Sequence, residues 1–197
     1  MKLDLHVHTK ERSLCARDSE DAQIQAAITA GLHGLFITDH WLLVPEKRLR
    51  ELNQTYAPFR IFGGIEVNLD GEDLLVLGIQ DPLLEKRQLT YPELHTFVRA
   101  RSGFLILAHP FRYRSTINLP LDTYPPDAIE LYTLNTPREA EGEIRAIAQQ
   151  NGLSLLSNSD AHASWQVGTH YNILQNGVVD EQTIFRQLRL GTHEFYR

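Results

Sequence analysis

Short apolar runs rich in β-branched residues alternate with amphipathic segments from one end of this 197-residue chain to the other. That alternation is the signature of repeated βα units. The runs also share an ending. Asp4-Leu5-His6-Val7-His8-Thr9, Thr38-Asp39-His40, Gly64-Ile65-Glu66, Ala108-His109-Pro110, Ile129-Glu130 and Ser159-Asp160-Ala161-His162 each place His, Asp or Glu where an apolar run stops. An open sheet would hold its first and last strands far apart. A closed barrel brings all the strand ends to one mouth, so a closed parallel barrel in a single α/β domain spanning residues 1–197 fits the pattern better.

The spacing predicts particular elements. Leu3 to His8 alternates, which puts Asp4, His6 and His8 on one face of a strand and Leu3, Leu5 and Val7 on the other. Ser19 is placed to cap a helix running to Ala30, with Glu20 and Asp21 in its first turn and Gly31 beyond its end. Further strands are expected at 35–38, 59–67, 74–79, 104–108, 128–132, 153–158 and 171–174. Helices are expected at 46–56, 91–101, 137–150 and 180–190. Residues 68–73 read as a hairpin turn. Residues 110–127 carry four prolines and read as a long loop that helps to shape a pocket.

Composition narrows the function classes. A net charge of −6 and the lack of a basic stripe interleaved with aromatics argue against a dedicated binder of long nucleic acid. The single cysteine, Cys15, excludes an internal disulfide framework and any cysteine-based zinc module. No secretory leader precedes the first strand and no apolar run is long enough to span a bilayer, so the reading places the chain in the cytoplasm.

Neutral imidazole and carboxylate together are a ligand set for Zn, Mn or Fe. Two histidines at i and i+2 on a strand point the same way and can grip one ion, or one ion each; His6 and His8 have this spacing, and Asp160 and His162 repeat it. Glu66, ending an apolar strand, is costly to desolvate without a cation nearby. Asp39 can alternatively serve as a helix cap ahead of Trp41.

The ordered set His-x-His-Thr, Thr-Asp-His, Gly-Gly-x-Glu, Ala-His-Pro and Ser-Asp-Ala-His resembles the polymerase and histidinol phosphatase (PHP) superfamily of metal-dependent phosphoesterases, over nearly the whole chain. The run from Val178 to Gly191 is similar to that family's usual tail. The resemblance implies a distorted (β/α)7 TIM-like barrel with two or three divalent ions (Mn, Zn or Fe) at its mouth. By position it implies His6, His8, His40, Glu66, His109, Asp160 and His162 as metal ligands, with Glu66 bridging two ions. The family adds a further acidic group or histidine after the first motif, for which Glu11 is chosen over Asp18 and Glu130. Thr133 stands close to where members with three ions place a histidine, which favours two ions here. His33, His95, His170 and His193 match no ligand position and read as surface or packing residues.

Two ions at such a mouth acidify a bridging water, whose hydroxide attacks in line with a phosphoester bond. Asp160 or Asp39 could move the proton. Arg112, Arg114 and Lys10 are the candidates for gripping a second charged part of the substrate, arginine offering a planar fork for phosphate. The expected partner is a small phosphomonoester of a sugar, amino alcohol or nucleotide. The alternatives are a phosphodiesterase or exonuclease on short oligonucleotides, and a non-catalytic metal-binding module.

Overall fold

The computed structural model describes residues 1–175 and 180–197; Val178, where the tail-like run begins, lies outside them. The described strands are β1 (Lys2–Val7), β2 (Gly34–Ile37), β3 (Arg60–Leu69), β4 (Glu72–Leu77), β5 (Phe104–Leu107), β6 (Ala128–Tyr132), β7 (Ser154–Ser157), β8 (Tyr171–Ile173) and β9 (Glu194–Tyr196). They form one sheet in the order β7-β6-β5-β4-β3-β2-β1-β8-β9. The helices are α1 (Glu20–Thr29), α2 (Glu46–Thr55), α3 (Tyr91–Ala100), α4 (Glu141–Asn151) and α5 (Glu181–Arg189). Ser19 caps α1 as expected, its side chain accepting the Ala22 N–H. The helix expected from Pro137 begins as a 3₁₀ turn at Arg138–Ala140 that runs into α4.

The sheet curls into a nearly closed barrel. Leu3, Leu5, Phe36, Phe62, Leu75, Leu77, Phe104, Ile106, Ala128 and Leu156, drawn from seven strands, pack together with Ile184, Phe185 and Leu188 of α5. The strands supply the barrel interior and α5 plugs one end. Outside, α1 and α2 lay Ile24, Ala27 and Leu52 against Leu35, Ile37 and Ile61. On the other side, α3 and α4 bring Leu94, Val98, Ile144 and Ala148 against Ile65, Leu107 and Ile129. Burying an aliphatic side chain of this size contributes about 1.5–3 kcal/mol.

Two expectations need correction. The barrel is not all parallel: β4 runs antiparallel to both β3 and β5, and β8 runs antiparallel to β1 and β9. The cause at β4 is the Asp70-Gly71 turn, both residues at positive φ (55° and 84°), which reverses the chain in two residues; a parallel return needs a dozen or more. Gly71 also leaves the space that the Arg114 guanidinium fills. The simple alternation of β1 fails as well. Its register shifts between Asp4 and Val7, so Leu3 and Leu5 join the barrel interior whereas Val7 packs with Ile24 and Leu35 outside. The long loop divides as it runs: Arg112 and Tyr113 reach the mouth beside Asp160 and His109, and farther along Leu119 and Leu121 are buried and Tyr91 Oη of α3 donates to Tyr124 O (2.6 Å).

The ring closes between β7 and β8 through a side chain. Buried Asn172 accepts the Ser157 N–H (3.1 Å) and donates to Ser157 O (2.8 Å) and Asn158 Oδ1 (2.8 Å), imitating a strand partner. Asn172→Ala strands these buried groups and is expected to lower stability by about 2–4 kcal/mol in urea unfolding. A change below about 0.5 kcal/mol would mean that the seam holds without the amide. Among the described residues no helix is long and apolar enough to cross a membrane.

Candidate metal centre

The strand ends converge. His6 and His8 close β1, His40 follows β2, Glu66 lies on β3, His109 follows β5, and Asp160 and His162 follow β7. Isolated parallel bridges from Val7 to Ala161 and from His40 to Glu66 extend the ring at this mouth. His109 (φ 24°) and Asp160 (φ 52°) adopt positive φ, a conformation disfavoured for residues with a Cβ and concentrated at functional sites.

The side-chain atoms form one buried knot. His6 Nε2 and His8 Nε2 face each other at 3.0 Å. Glu66 Oε2 lies 3.1 Å from His8 Nε2, 3.0 Å from His40 Nδ1 and 3.5 Å from His6 Nε2, and Glu66 Oε1 lies 3.1 Å from His109 Nε2. Asp160 Oδ1 lies 3.3 Å and 3.2 Å from the same nitrogens of His6 and His8. His162 lies tilted against His8 at 4.3 Å between ring centroids, and His40 stacks on His8 at 4.5 Å. Four triads bring one ligand atom from each member within 4.8 Å of the others: His8, His40 and His162; His6, His109 and Asp160; His6, His8 and Glu66; and Glu66, Asp73 and His109.

The donor set asks for cations. Glu66 Oε2 and Asp160 Oδ1 are buried without a hydrogen-bond partner, although imidazole nitrogens lie within 3.5 Å of both. Glu66 Oε1 does meet His109 Nε2 in a hydrogen bond (3.1 Å), whereas the contacts of Glu66 Oε2 and Asp160 Oδ1 lack hydrogen-bond directions and crowd around shared points. Burial pushes the His6 imidazole down, but Asp160, Glu130 and Glu66 outweigh it and hold it well above the usual histidine range. Burial likewise opposes protonation of His8, yet the Asp160 and Glu66 carboxylates beside it carry it up to about 9. Burial also raises Glu66, and the histidines around it more than reverse that, holding its carboxyl well below the usual carboxylate range. His162, desolvated and beside His8, is lowered to about 4. Protons on His6 and His8 thus supply positive charge that divalent ions could supply instead. Imidazole and carboxylate in this ratio fit Zn, Mn or Fe.

A further ring of groups orients the knot. Glu130 Oε1 meets His6 Nδ1 at 3.0 Å and accepts from Asn158 Nδ2 at 2.7 Å; its other oxygen accepts the His109 N–H at 2.8 Å. It therefore fixes the His6 ring with Nε2 aimed inward. Asp4, pushed up to about 7 by burial, accepts from Ser159 Oγ, Ser159 N and His6 N. Asp160 Oδ2 accepts from Asn135 Nδ2 (2.6 Å) and Arg112 Nη1 (3.2 Å).

The structure therefore brings together His6, His8, His40, Glu66, His109, Asp160 and His162, with Arg112 beside them. It does not bring Glu11, whose carboxylate instead accepts the Glu20 N–H at 3.0 Å at the start of α1, nor Asp18, which accepts the Ser164 N–H at 2.7 Å. Asp39, expected as a proton carrier, is saturated by Thr9 N, Thr9 Oγ1, Arg12 Nε and Ser13 Oγ, all within 2.8 Å. It braces the loop after β1, and Ser13 passes that bracing to His8 Nδ1 (3.3 Å). Arg114 turns to Asp70 O (3.1 Å), and the Lys10 side chain is exposed with no hydrogen bond or ion pair among the described residues. Thr133 Oγ1 accepts the N–H groups of Asn135 and Thr136. Sequence reading missed Asp73, which lies on β4 with Oδ2 3.8 Å from His109 Nε2. The signal was its place at the end of the turn: on an antiparallel strand the mouth lies at the N-terminal end.

The fold and site define a distorted α/β barrel with a buried histidine–carboxylate centre at its mouth. A family model described as PHP-associated matches residues 138–193. No curated protein sequence matches the chain. Among solved structures, PsfC from Pseudomonas syringae is 21% identical, with a TM-score of 0.69 over 94% of this chain and 86% of its own. A two-domain protein from Bacteroides vulgatus containing a predicted PHP-like metal-dependent phosphoesterase is 16% identical, with a TM-score of 0.75 over 100% of this chain and 64% of its own. The lesion-specific endonuclease PfuEndoQ from Pyrococcus furiosus is 18% identical, with a TM-score of 0.72 over 98% and 57%. The chain thus has the PHP-type fold, and the resemblance seen in its motifs holds at the level of that fold.

Proposed function

We propose that the protein is a divalent-metal-dependent phosphoester hydrolase acting on small phosphomonoesters. The observation that carries this reading is the knot of three buried imidazoles (His6, His8, His109) and two partly exposed ones (His40, His162) around buried Glu66 and Asp160, in which two carboxylate oxygens lack hydrogen-bond partners. Likeness to a protein described as containing a PHP-like metal-dependent phosphoesterase supports it. His6, His8, His40, Glu66, His109, Asp160 and His162 would hold two ions, with Asp73 within reach of a further position. Bound ions supply Lewis-acid charge neutralisation and make water nucleophilic at neutral pH.

The chain's own groups do the rest. Glu130 holds the His6 tautomer, and Asn135 and Arg112 hold Asp160 so that Oδ1 faces the knot and can take the proton released by water. Arg112 is the cation placed to meet phosphoryl oxygens: its side chain is about a quarter exposed, and its guanidinium lies over the Tyr113 ring at 4.9 Å. Arg112→Ala is expected to raise KM about tenfold with a smaller change in kcat, whereas Arg114→Ala leaves KM near its starting value. Equal KM in wild type and Arg112→Ala would remove Arg112 from substrate binding.

The phosphodiesterase alternative draws on the likeness to PfuEndoQ, and the net charge of −6 opposes long polynucleotides. Matched aryl phosphomonoester and phosphodiester substrates, assayed with Mn, Zn, Fe(II) and Mg, decide between them. Monoester turnover that disappears on chelation is the expected result. Preferential diester turnover would install the alternative, and no turnover at full metal content would leave a non-catalytic metal module. The reading includes a cytoplasmic setting and a small phosphorylated partner.

A further inference from the structure

A cavity of about 570 Å³ opens beside the centre rather than within it, lined by Tyr132, Thr133, Thr136, Arg138, Glu141 and His170 among others. That volume suits a small-molecule body of nucleoside or sugar-phosphate size. Its position follows from topology. Tyr132 to Arg138 leave β6 at the mouth, and His170 precedes β8, whose antiparallel run starts there. The wall is tied to the centre: Thr133 Oγ1 holds the N–H groups of Asn135 and Thr136 (2.9 Å each), and Asn135 Nδ2 donates to Asp160 Oδ2 at 2.6 Å.

The cavity has a surplus of positive charge. Its one carboxylate among the lining residues, Glu141, is already engaged by Tyr132 Oη (2.6 Å), Arg145 (2.9 Å) and Arg197 (3.3 Å). Arg138 makes no side-chain hydrogen bond or ion pair among the described residues, so its fork is open. Thr169 Oγ1 donates to Gln166 O (2.7 Å) and so accepts from Nδ1–H of half-buried His170 (3.0 Å), which leaves His170 Nε2 as an acceptor facing a ligand's hydroxyl. Thr133 Oγ1, which accepts two N–H groups, gives its hydrogen to Thr136 Oγ1 (3.0 Å), so the Thr136 hydroxyl is the one free to donate into this space. A free guanidinium and a free hydroxyl at a cavity of this size suit a carboxylate or phosphate.

We infer that this cavity is the distal subsite of the hydrolase proposed above, with Arg138 and the Thr136 hydroxyl binding a second anionic group of the substrate beside His170. The substrate class is accordingly a phosphoester that also carries a phosphate or carboxylate. A phosphorylated amino alcohol would instead bring its ammonium toward Arg138. The inference rests on the proposed hydrolase reading for the direction in which the substrate lies.

Two experiments separate the subsite from that reading. In the chelated protein, inorganic phosphate titrated against side-chain NMR signals is expected to shift Arg138 Nε–H and the His170 ring. Arg138→Gln, at an exposed position, weakens that binding at least tenfold, and Arg138→Lys restores part of it. Absent shifts, or unchanged affinity in Arg138→Gln, overturn the subsite even if the enzyme is active. In the Mn-loaded protein, a sugar bisphosphate and a phosphorylated hydroxy acid are each compared with a singly phosphorylated neutral sugar. Wild type is expected to prefer at least one anion-bearing substrate through KM, and Arg138→Gln to reduce that preference at least tenfold. The member of the pair that loses more identifies phosphate or carboxylate as the recognised group. Equal kcat/KM for all three, or a preference untouched by Arg138→Gln, overturns the inference. Turnover of no phosphoester at full metal content sinks the hydrolase reading instead, while the phosphate titration still decides the subsite.

Discussion

Glu66→Gln is expected to lower kcat/KM for any phosphoester the protein hydrolyses by about a thousandfold, which is roughly 4 kcal/mol of transition-state stabilisation. The substitution keeps shape and volume but removes the charge whose two oxygens reach His8, His40 and His109 at 3.0–3.1 Å. Elemental analysis should show bound metal falling in parallel, because this carboxylate belongs to two of the four triads. His8→Ala, touching both Glu66 and Asp160, should lose metal and activity together. Glu130→Gln, one bond removed from the knot, is expected to cost only about 10–100-fold. Full activity in Glu66→Gln at unchanged metal content would remove the centre from the chemistry.

Metal removal should have a large effect on stability. A divalent ion present at a hundred times its Kd stabilises the folded chain by about 2.7 kcal/mol, or roughly 5–10 °C in Tm for a domain of this size. Thermal scans with Mn²⁺ and with chelator measure it; coincident curves would show that no ion binds the folded state. The pH dependence gives a second readout. In the chelated protein His8 sits at about 9 against an ordinary 6.5, so its contribution is fully present below pH 6.5 and is lost as pH rises through 9. Glu66 is held below its ordinary 4.5, so its contribution is present above pH 4.5 and is lost as pH falls. These two contributions are both full between about pH 4.5 and 6.5, and the loss of the His8 contribution should weaken the chelated protein toward pH 9. Mn-loaded protein should weaken less there, because cations replace the protons.

Much of this was legible in the residues because strand ends are local. An apolar run that stops at His109-Pro110 or Ser159-Asp160 states where its last side chain must emerge, and the i, i+2 spacing of His6 and His8 survives folding. What was not legible depended on distant partners. The register shift in β1 arises from how that strand meets β2, and nothing between Leu3 and His8 announces it. Glu11 and Asp39 carry the right chemistry at plausible positions. Which way each points was decided by backbone N–H groups and by Arg12, needs that a motif does not display. Asp73 was hidden by strand direction: a parallel reading looks for ligands after a strand, and β4 presents its own at the beginning.

The seam at Asn172 has a consequence for biosynthesis. The mouth beside it joins His6 and His8 to Asp160 and His162, some 150 positions apart. Contacts this remote in sequence form slowly, and only once the later segment has been made. A chain emerging from the ribosome therefore carries isolated imidazoles but no finished chelate. Assembly of this ligand set is a late step of folding rather than an early nucleus.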